Sequence, residues 1–398
     1  MKFLQITNRI PFPLDDGGNI ANWNVLNEMK KAGNSVTLLS MNTTKHFCDP
    51  EVMYPVVDKV VAVNINTDIT ILGAFTSLFS GYPYIVKRFI NEEFGVALMN
   101  LLKTDHFDVI QLEGIFTSVY IHLIRRYSKA KLILRAHNVE YIIWDRYYKD
   151  EKNIFRKIFL YDMTRRLRKF EFEHFRLFDA IIALTNEDEQ LIRKSGYSNQ
   201  LEIIPLGVDT DKFFPVNEAK KDTQEIVIGF IGSLEWLPNL QGIEWFLANV
   251  WPQVKLKSPN AVFRLAGKKM PDKLMQLAIP GFEPVGYVKN AAEFTRSLDI
   301  FVVPLLSGGG MRIKILEAMA CGKCVISTRI GAEGIQAEHE KDIILADSPE
   351  EMLQHLLILA GNKEKVARIG ENAELKIRQS YTWPVLIQKM LQFYNSVK

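Results

Sequence analysis

Cysteine is scarce: Cys48, Cys321 and Cys324 are the only three in 398 residues. Three unevenly spaced thiols cannot build a disulfide framework, and they predict a reducing, cytoplasmic setting. Excess charge of one sign is missing too. The net charge is +3, without the basic surplus of a nucleic-acid binder, so no nucleic-acid partner is expected. Long apolar runs are absent. The most apolar window, 71–86, contains Gly81 and Pro83 and is shorter than the roughly 20 residues of a spanning helix. No leader pattern precedes MKFLQIT, which reads directly as a strand. The opening βαβ unit lacks G-x-G-x-x-G, which weighs against a dinucleotide site.

What is present is an ordinary globular composition, 47% hydrophobic and 24% charged. The length predicts two domains. The chain is organised around 299–328, which reads as strand, glycine loop, helix and strand. Asp299 to Pro304 is an apolar run suited to a buried parallel strand. Ser307, Gly308, Gly309 and Gly310 follow, and glycines let backbone approach a ligand closely. A helix from Met311 to Ala320 comes next, then a strand from Cys324 to Thr328. A glycine loop feeding a helix N-terminus is an anion site, because unpaired N–H groups and the helix dipole point there. Arg312 and Lys314 put cations at the end where they oppose the dipole, which predicts a bound anion, a phosphate first. Glu317, one turn in, is placed to accept hydrogen bonds from ligand hydroxyls.

The same α/β rhythm fills the rest. Strands are expected at 2–7, 35–40, 58–64, 108–112, 131–135, 180–184, 201–205, 226–231, 261–266, 282–285 and 343–346. Helices are expected at 21–31, across most of 70–104, at 153–177, 186–195, from about 240, at 349–360 and 364–379, and in the tail 383–397. Gly17 and Gly18 precede the first helix, either as a plain turn or as a close approach to substrate. Glu113-Gly114 and His137 sit at carboxyl ends of strands, where ligands bind in open α/β sheets. The basic, aromatic helix 153–177 clusters Arg165, Arg166, Arg168 and Lys169. It reads either as a solvated face with Phe and Leu inward or as a contact with an anionic membrane or lipid-phosphate acceptor. The polar stretch 205–225 marks a domain boundary. Asp209-Thr-Asp211 reads as a turn rather than a metal site. Cys321-Gly-Lys-Cys324 ends a helix instead of starting one, so it reads as packing rather than redox chemistry.

The stretches PFPLDDGGN, RAHNVEY (135–141), IIPLGVDTDKFFP (203–215), GFIGSLEWLPN (229–239), PLLSGGGMRIKILEAMACGKCVIST (304–328) and GAEGI (331–335) occur in a specific order and spacing. With them the chain resembles retaining glycosyltransferases of the GT-B fold, group 1 (family 4) type. The resemblance implies two Rossmann-like, doubly wound parallel-sheet domains facing a central cleft. It implies an acceptor-binding domain at 1–205, a donor-binding domain at 206–380, and a terminal helix, about 381–398, packing back on the first. It implies transfer of a sugar from a nucleotide-diphospho-sugar to a glycan or lipid-linked acceptor, with retention, no metal and no cofactor. The family's E-x7-E motif puts its second Glu, the ribose ligand, on Glu317 and its first on Gly309, a departure that leaves donor-sugar recognition open. Gly232 and Ser233 belong to the donor loop with Gly308, Gly309 and Gly310. Arg312 and Lys314 are expected to charge-stabilise the diphosphate. His137 resembles the histidine near the donor sugar, and Gly17 and Gly18 the loop near diphosphate and acceptor. The resemblance implies polysaccharide or glycolipid assembly, cytoplasmic or peripheral at the inner membrane face, and the membrane reading of the basic helix 153–177 would fit that setting. Two competing expectations are a non-catalytic nucleotide-sugar-binding partner of a transferase and a GT-B-fold sugar-nucleotide 2-epimerase.

Overall fold

Strands buried on both faces need nearly unbroken apolar runs, and among the described residues β-strands such as Val109–Glu113, Ala180–Ala183 and Ile300–Val303 are buried throughout. A computed structural model describes residues 1–14, 16–68, 70, 73, 76–77, 81–216 and 225–397. The chain divides into two compact units, Met1–Pro205 with Ile387–Lys398, and Leu206–Leu386. Each contains one parallel sheet, so the doubly wound α/β class expected above is present.

The first unit has seven strands: β1 (Lys2–Thr7), β2 (Ser35–Thr43), β3 (Lys59–Ile65), β4 (Val109–Glu113), β5 (Lys131–Ala136), β6 (Ala180–Ala183) and β7 (Gln200–Ile203). Their order is β3-β2-β1-β4-β5-β6-β7, all parallel. The order reverses between β1 and β4. One core joins Leu4, Ile6, Ile110, Leu112, Leu132 and Leu134 of the sheet to Phe94, Leu98, Leu167 and Phe175 of the helices. Each such side chain contributes about 1.5–3 kcal/mol on burial. The terminal helix, Trp383–Ser396, carries Tyr394 into this unit. The Tyr394 ring stacks on Phe3 at 6.0 Å, and Lys131 donates to its carbonyl at 2.9 Å.

The second unit has six strands: β8 (Ile226–Ile231), β9 (Ala261–Ala266), β10 (Phe282–Gly286), β11 (Ile300–Val303), β12 (Cys324–Ser327) and β13 (Ile344–Leu345). Their order, β10-β9-β8-β11-β12-β13, reverses between β8 and β11. Its core centres on Phe246, Trp251 and Phe263 with Ile228, Val302 and Ile326.

Several local expectations are corrected. The first helix begins at Gly17, not Ala21, because Asp16 caps it and accepts from Gly18 and Asn19 N–H. Gly17 and Gly18 are therefore first-turn residues. The stretch 70–104 is not one helix: residues 73, 76 and 77 are helical, and Tyr84–Lys87 and Glu92–Thr104 follow as separate segments, the last capped by Asn91. Residues 71, 72, 74, 75 and 78–80 of that stretch, and 217–224 of the boundary stretch, lie outside the described residues. Arg312 is the cap of helix Ile313–Ala320 rather than part of its first turn. A helix that sequence reasoning missed, Glu140–Asp150, follows β5 directly. Its start is fixed from afar: the Glu171 carboxylate accepts from Glu140 and Tyr141 N–H, both at 2.8 Å.

Candidate active site

In an open parallel sheet, ligands bind beyond the carboxyl ends of strands where the order reverses. In the second unit that point is the pair β8 and β11. Gly232 and Ser233 leave β8, and Ser307 to Gly310 follow β11. The absence of a side chain matters at Gly267, whose Cβ would collide with the Gly232 carbonyl. The β8 and β9 tips therefore touch backbone to backbone. Gly308 has φ +120° and its Cβ would lie 3.1 Å from the Trp236 ring. Gly310 has φ 78°. L side chains are strained at both positions.

Arg312 Nη1 donates to the Gly309 carbonyl and, at 2.6 Å, to that of Gly310. Its guanidinium stands 5.0 Å from the Trp236 ring centroid. Arg312 thus braces the glycine loop from within, and no side chain caps the first turn of the helix that follows. Lys314 reaches toward β8, where its Nζ donates to Asn239 Oδ1 at 3.0 Å and lies 4.3 Å from the Phe230 ring centroid. Asn239 also donates to the Ser233 carbonyl at 2.7 Å, so one amide ties the β8 loop to the lysine. A side chain at Gly232 would strike the Lys314 ammonium. Burial, then the neighbouring Arg312, pushes the Lys314 ammonium down to about 7, against the pull of Glu317. Burial pushes the Glu317 carboxyl up to about 7, with Asp209 adding to the rise and Lys212 and Lys314 opposing it. Gly232, Ser233, Gly308, Gly309, Gly310, Arg312, Lys314 and Glu317 therefore gather at two adjacent strand tips.

In the first unit the reversal lies between β1 and β4. Glu113, the last residue of β4, is buried. His137 Nε2 lies 2.6 Å from Glu113 Oε2, Gln111 Nε2 donates to Oε1 at 2.6 Å, and Arg135 Nη1 donates to Oε2 at 3.4 Å. Burial works against the Glu113 charge, but Arg135 and the bonds from His137 and Gln111 outweigh it and hold the carboxyl below its usual range. The Tyr394 hydroxyl of the terminal helix donates to Gln111 Oε1. The carboxylate fixes which edge of the His137 ring turns inward, and the ring itself is half-buried. Gly17 and Gly18 follow β1, with Arg9 paired to their cap Asp16 at 2.7 Å. His137 thus follows the β5 tip, and Gly17 and Gly18 open the helix after β1, all within the first unit.

Sequence reasoning assigned no role to Trp236, Asn239, Gln111, Arg135 or Tyr394. Asn239 stood inside the quoted GSLEWLPN motif, and Glu113 was noted at a strand end; Tyr394 carried no sequence signal. Asp209 accepts from Asp211 and Lys212 N–H at 3.0 and 3.3 Å, the geometry of a turn. Burial pushes the thiols of Cys321 and Cys324 up to about 12, consistent with packing.

Two family models match: the one described as Glycosyltransferase Family 4 over residues 16–212, and the one described as Glycosyl transferases group 1 over 225–362. An uncharacterised 44.6 kDa protein in the cps region of Klebsiella pneumoniae is 27% identical over 277 residues, 66% of this chain and 69% of its own length. An uncharacterised glycosyltransferase of Methanocaldococcus jannaschii is 24% identical over 331 residues, 78% of this chain and 81% of its own. In fold the chain is similar to sucrose-phosphate synthase of Thermosynechococcus elongatus, with TM-score 0.71, 15% identity and coverage of 99% and 98% of the two chains. It is also similar to Anabaena HepE in complex with UDP, with TM-score 0.69, 13% identity and full coverage of both.

Proposed function

The chain belongs to the group 1 and family 4 glycosyltransferases and has their GT-B fold, and from this premise we propose that it transfers a sugar from a nucleotide-diphospho-sugar to a glycan or lipid-linked acceptor with retention. One observation carries the reading: two glycine loops at the β8 and β11 tips, with the Lys314 ammonium tied between them. Breaking the anomeric C–O bond leaves negative charge on the departing phosphate. Loop N–H groups and Lys314 would stabilise that charge where it develops, without a metal. Arg312 serves by bracing the loop as well as by its charge. Glu317 takes the ribose hydroxyls. HepE, whose structures hold UDP and UDP-glucose, supports a nucleotide-sugar donor. His137, oriented by Glu113, works near the donor sugar, and Gly17 and Gly18 near the diphosphate and acceptor. The protein is placed at the cytoplasmic face of a membrane in this reading.

The test is a thermal-shift panel of UDP, GDP, ADP, TDP and CMP on the wild type and Glu317→Ala, followed by transfer assays with the matching nucleotide-sugars. A ligand at about 100 times its Kd adds roughly 2.7 kcal/mol, a shift of several degrees. One nucleotide that shifts the wild type but not the variant identifies the base. Sugar release with the anomeric configuration kept, read by NMR, establishes retention; binding without any sugar release assigns the chain to a non-catalytic partner.

A further inference from the structure

The helical hairpin that springs from the His137 strand is too apolar for what it buries. Helix Glu140–Asp150 has no buried residue, and in helix Ile154–Phe175 burial begins only at Met163. Yet Phe155 is 81% exposed, more than any other large apolar side chain among the described residues. In the same helix Ile158, Ile154 and Tyr161 are 62, 61 and 56% exposed. Positions 154, 158 and 161 share one helical face, with Phe155 beside it. The same segment concentrates charge. Residues 145–169 hold nine Lys or Arg against four Asp or Glu, whereas the whole chain carries only +3. The remainder is therefore net acidic, and the basic excess shares its segment with the apolar face. Two of these cations have surface partners one helical turn away and stay exposed: Lys149 pairs with Asp145 at 2.6 Å, and Arg165 with Asp162 at 3.8 Å. Such exposed pairs contribute little and leave the cations available.

We propose that this hairpin docks on an anionic lipid bilayer. Ile154, Phe155, Ile158 and Tyr161 enter the boundary between headgroups and acyl chains, and Lys149, Lys152, Arg156, Lys157 and Arg165 meet the lipid phosphates. A second copy of the chain is a poorer occupant, because it would oppose two clusters of the same sign. The hairpin begins three residues after His137, so docking brings that strand edge to the bilayer. This step rests on the transferase reading, and it names the acceptor as lipid-linked.

The test is cosedimentation of the full chain with phosphatidylcholine vesicles and with vesicles carrying 30 mol% (~30%) phosphatidylglycerol. Variants are Phe155→Glu/Ile158→Glu and Lys152→Gln/Arg156→Gln/Lys157→Gln. The wild type should prefer anionic vesicles by at least about tenfold, and added salt should weaken the preference. The apolar pair should lose at least about tenfold in partitioning, and the triple variant should lose the preference for anionic lipid. All three proteins should unfold at the same temperature and give the same nucleotide shift, because these side chains support no core. Equal binding of the wild type to both vesicle types, equal binding by the Phe155/Ile158 variant, or a wild-type dimer dispersed by that variant would overturn the proposal. Vesicle binding without any nucleotide shift would sustain the docking surface while removing the transferase reading.

Discussion

The two units share a strand order and place their reversal points alike, yet they manage charge in opposite ways. At the tip of β4 the Glu113 charge is compensated inside the protein by Arg135, Gln111 and His137. Its carboxyl therefore stays ionised despite complete burial. At the tips of β8 and β11 compensation is incomplete. Lys314 has one neutral partner, Asn239, and no hydrogen bond reaches the Glu317 carboxylate among the described residues. Both drift toward neutrality near pH 7. Perturbed groups of this kind gather at functional sites. The first unit compensates the charge of its buried carboxylate, although Arg135 Nε and Nη2 keep no hydrogen-bond partner among the described residues, whereas the second leaves Lys314 and Glu317 without a charged hydrogen-bond partner.

The largest expected effect falls on the charge-compensated carboxylate Glu113. Glu113→Gln leaves Arg135 buried without its counter-charge, which should cost about 3–5 kcal/mol in chemical denaturation. Glu317→Gln, where no network depends on the charge, should leave stability nearly unchanged. Equal losses for the two variants would erase the contrast. Next comes Glu317→Ala, expected to weaken nucleotide binding by about 1.5–3 kcal/mol as the ribose hydroxyls lose a charged acceptor. Calorimetry showing unchanged affinity would return Glu317 to a packing role. His137→Ala should cut transfer and spare that affinity.

The pH dependence of nucleotide affinity is the third effect. A diphosphate favours the Lys314 ammonium, so affinity should fall as pH rises above about 7. Ribose hydroxyls favour the Glu317 carboxylate, so affinity should also fall as pH drops below about 7. The wild type should bind best near neutrality, losing about tenfold per pH unit on either side. Lys314→Met should retain only the acid-side loss and Glu317→Gln only the alkaline-side loss. A flat profile in the wild type would mean that neither charge meets the ligand. The smallest effect belongs to Tyr394→Phe, which removes one buried hydrogen bond to Gln111 and should cost about 1 kcal/mol. It should leave nucleotide binding in the second unit untouched.

Much of this was legible in the sequence. The strand runs around 2–7, 226–231 and 299–304 were readable because buried parallel strands are apolar throughout. The glycine loop 308–310 and Lys314 stood out as candidates because Gly permits close backbone approach and a cation there attracts anions. The sequence made Arg312 a candidate, but its grip on the Gly309 and Gly310 carbonyls was not legible. The helix Glu140–Asp150 was not legible, since its cap comes from Glu171 rather than from a neighbour in sequence. The basic cluster 165–169 lies in helix Ile154–Phe175, but the exposed apolar side chains of that helix lie in its other half. Phe155 and Ile158 stand exposed, whereas Leu167 is buried.

By itself the sequence determined the alternation of strand and helix, the positions of the turns, and which residue types could meet a phosphate. Those features follow from local backbone preference and side-chain chemistry, which neighbours along the chain decide. The tertiary structure alone decided that Tyr394 reaches Gln111 across 283 positions, that Asn239 joins Ser233 to Lys314, and which buried charges are compensated. Strand order sets which tips become neighbours, and burial sets the cost of each charge, so neither can be read along the chain.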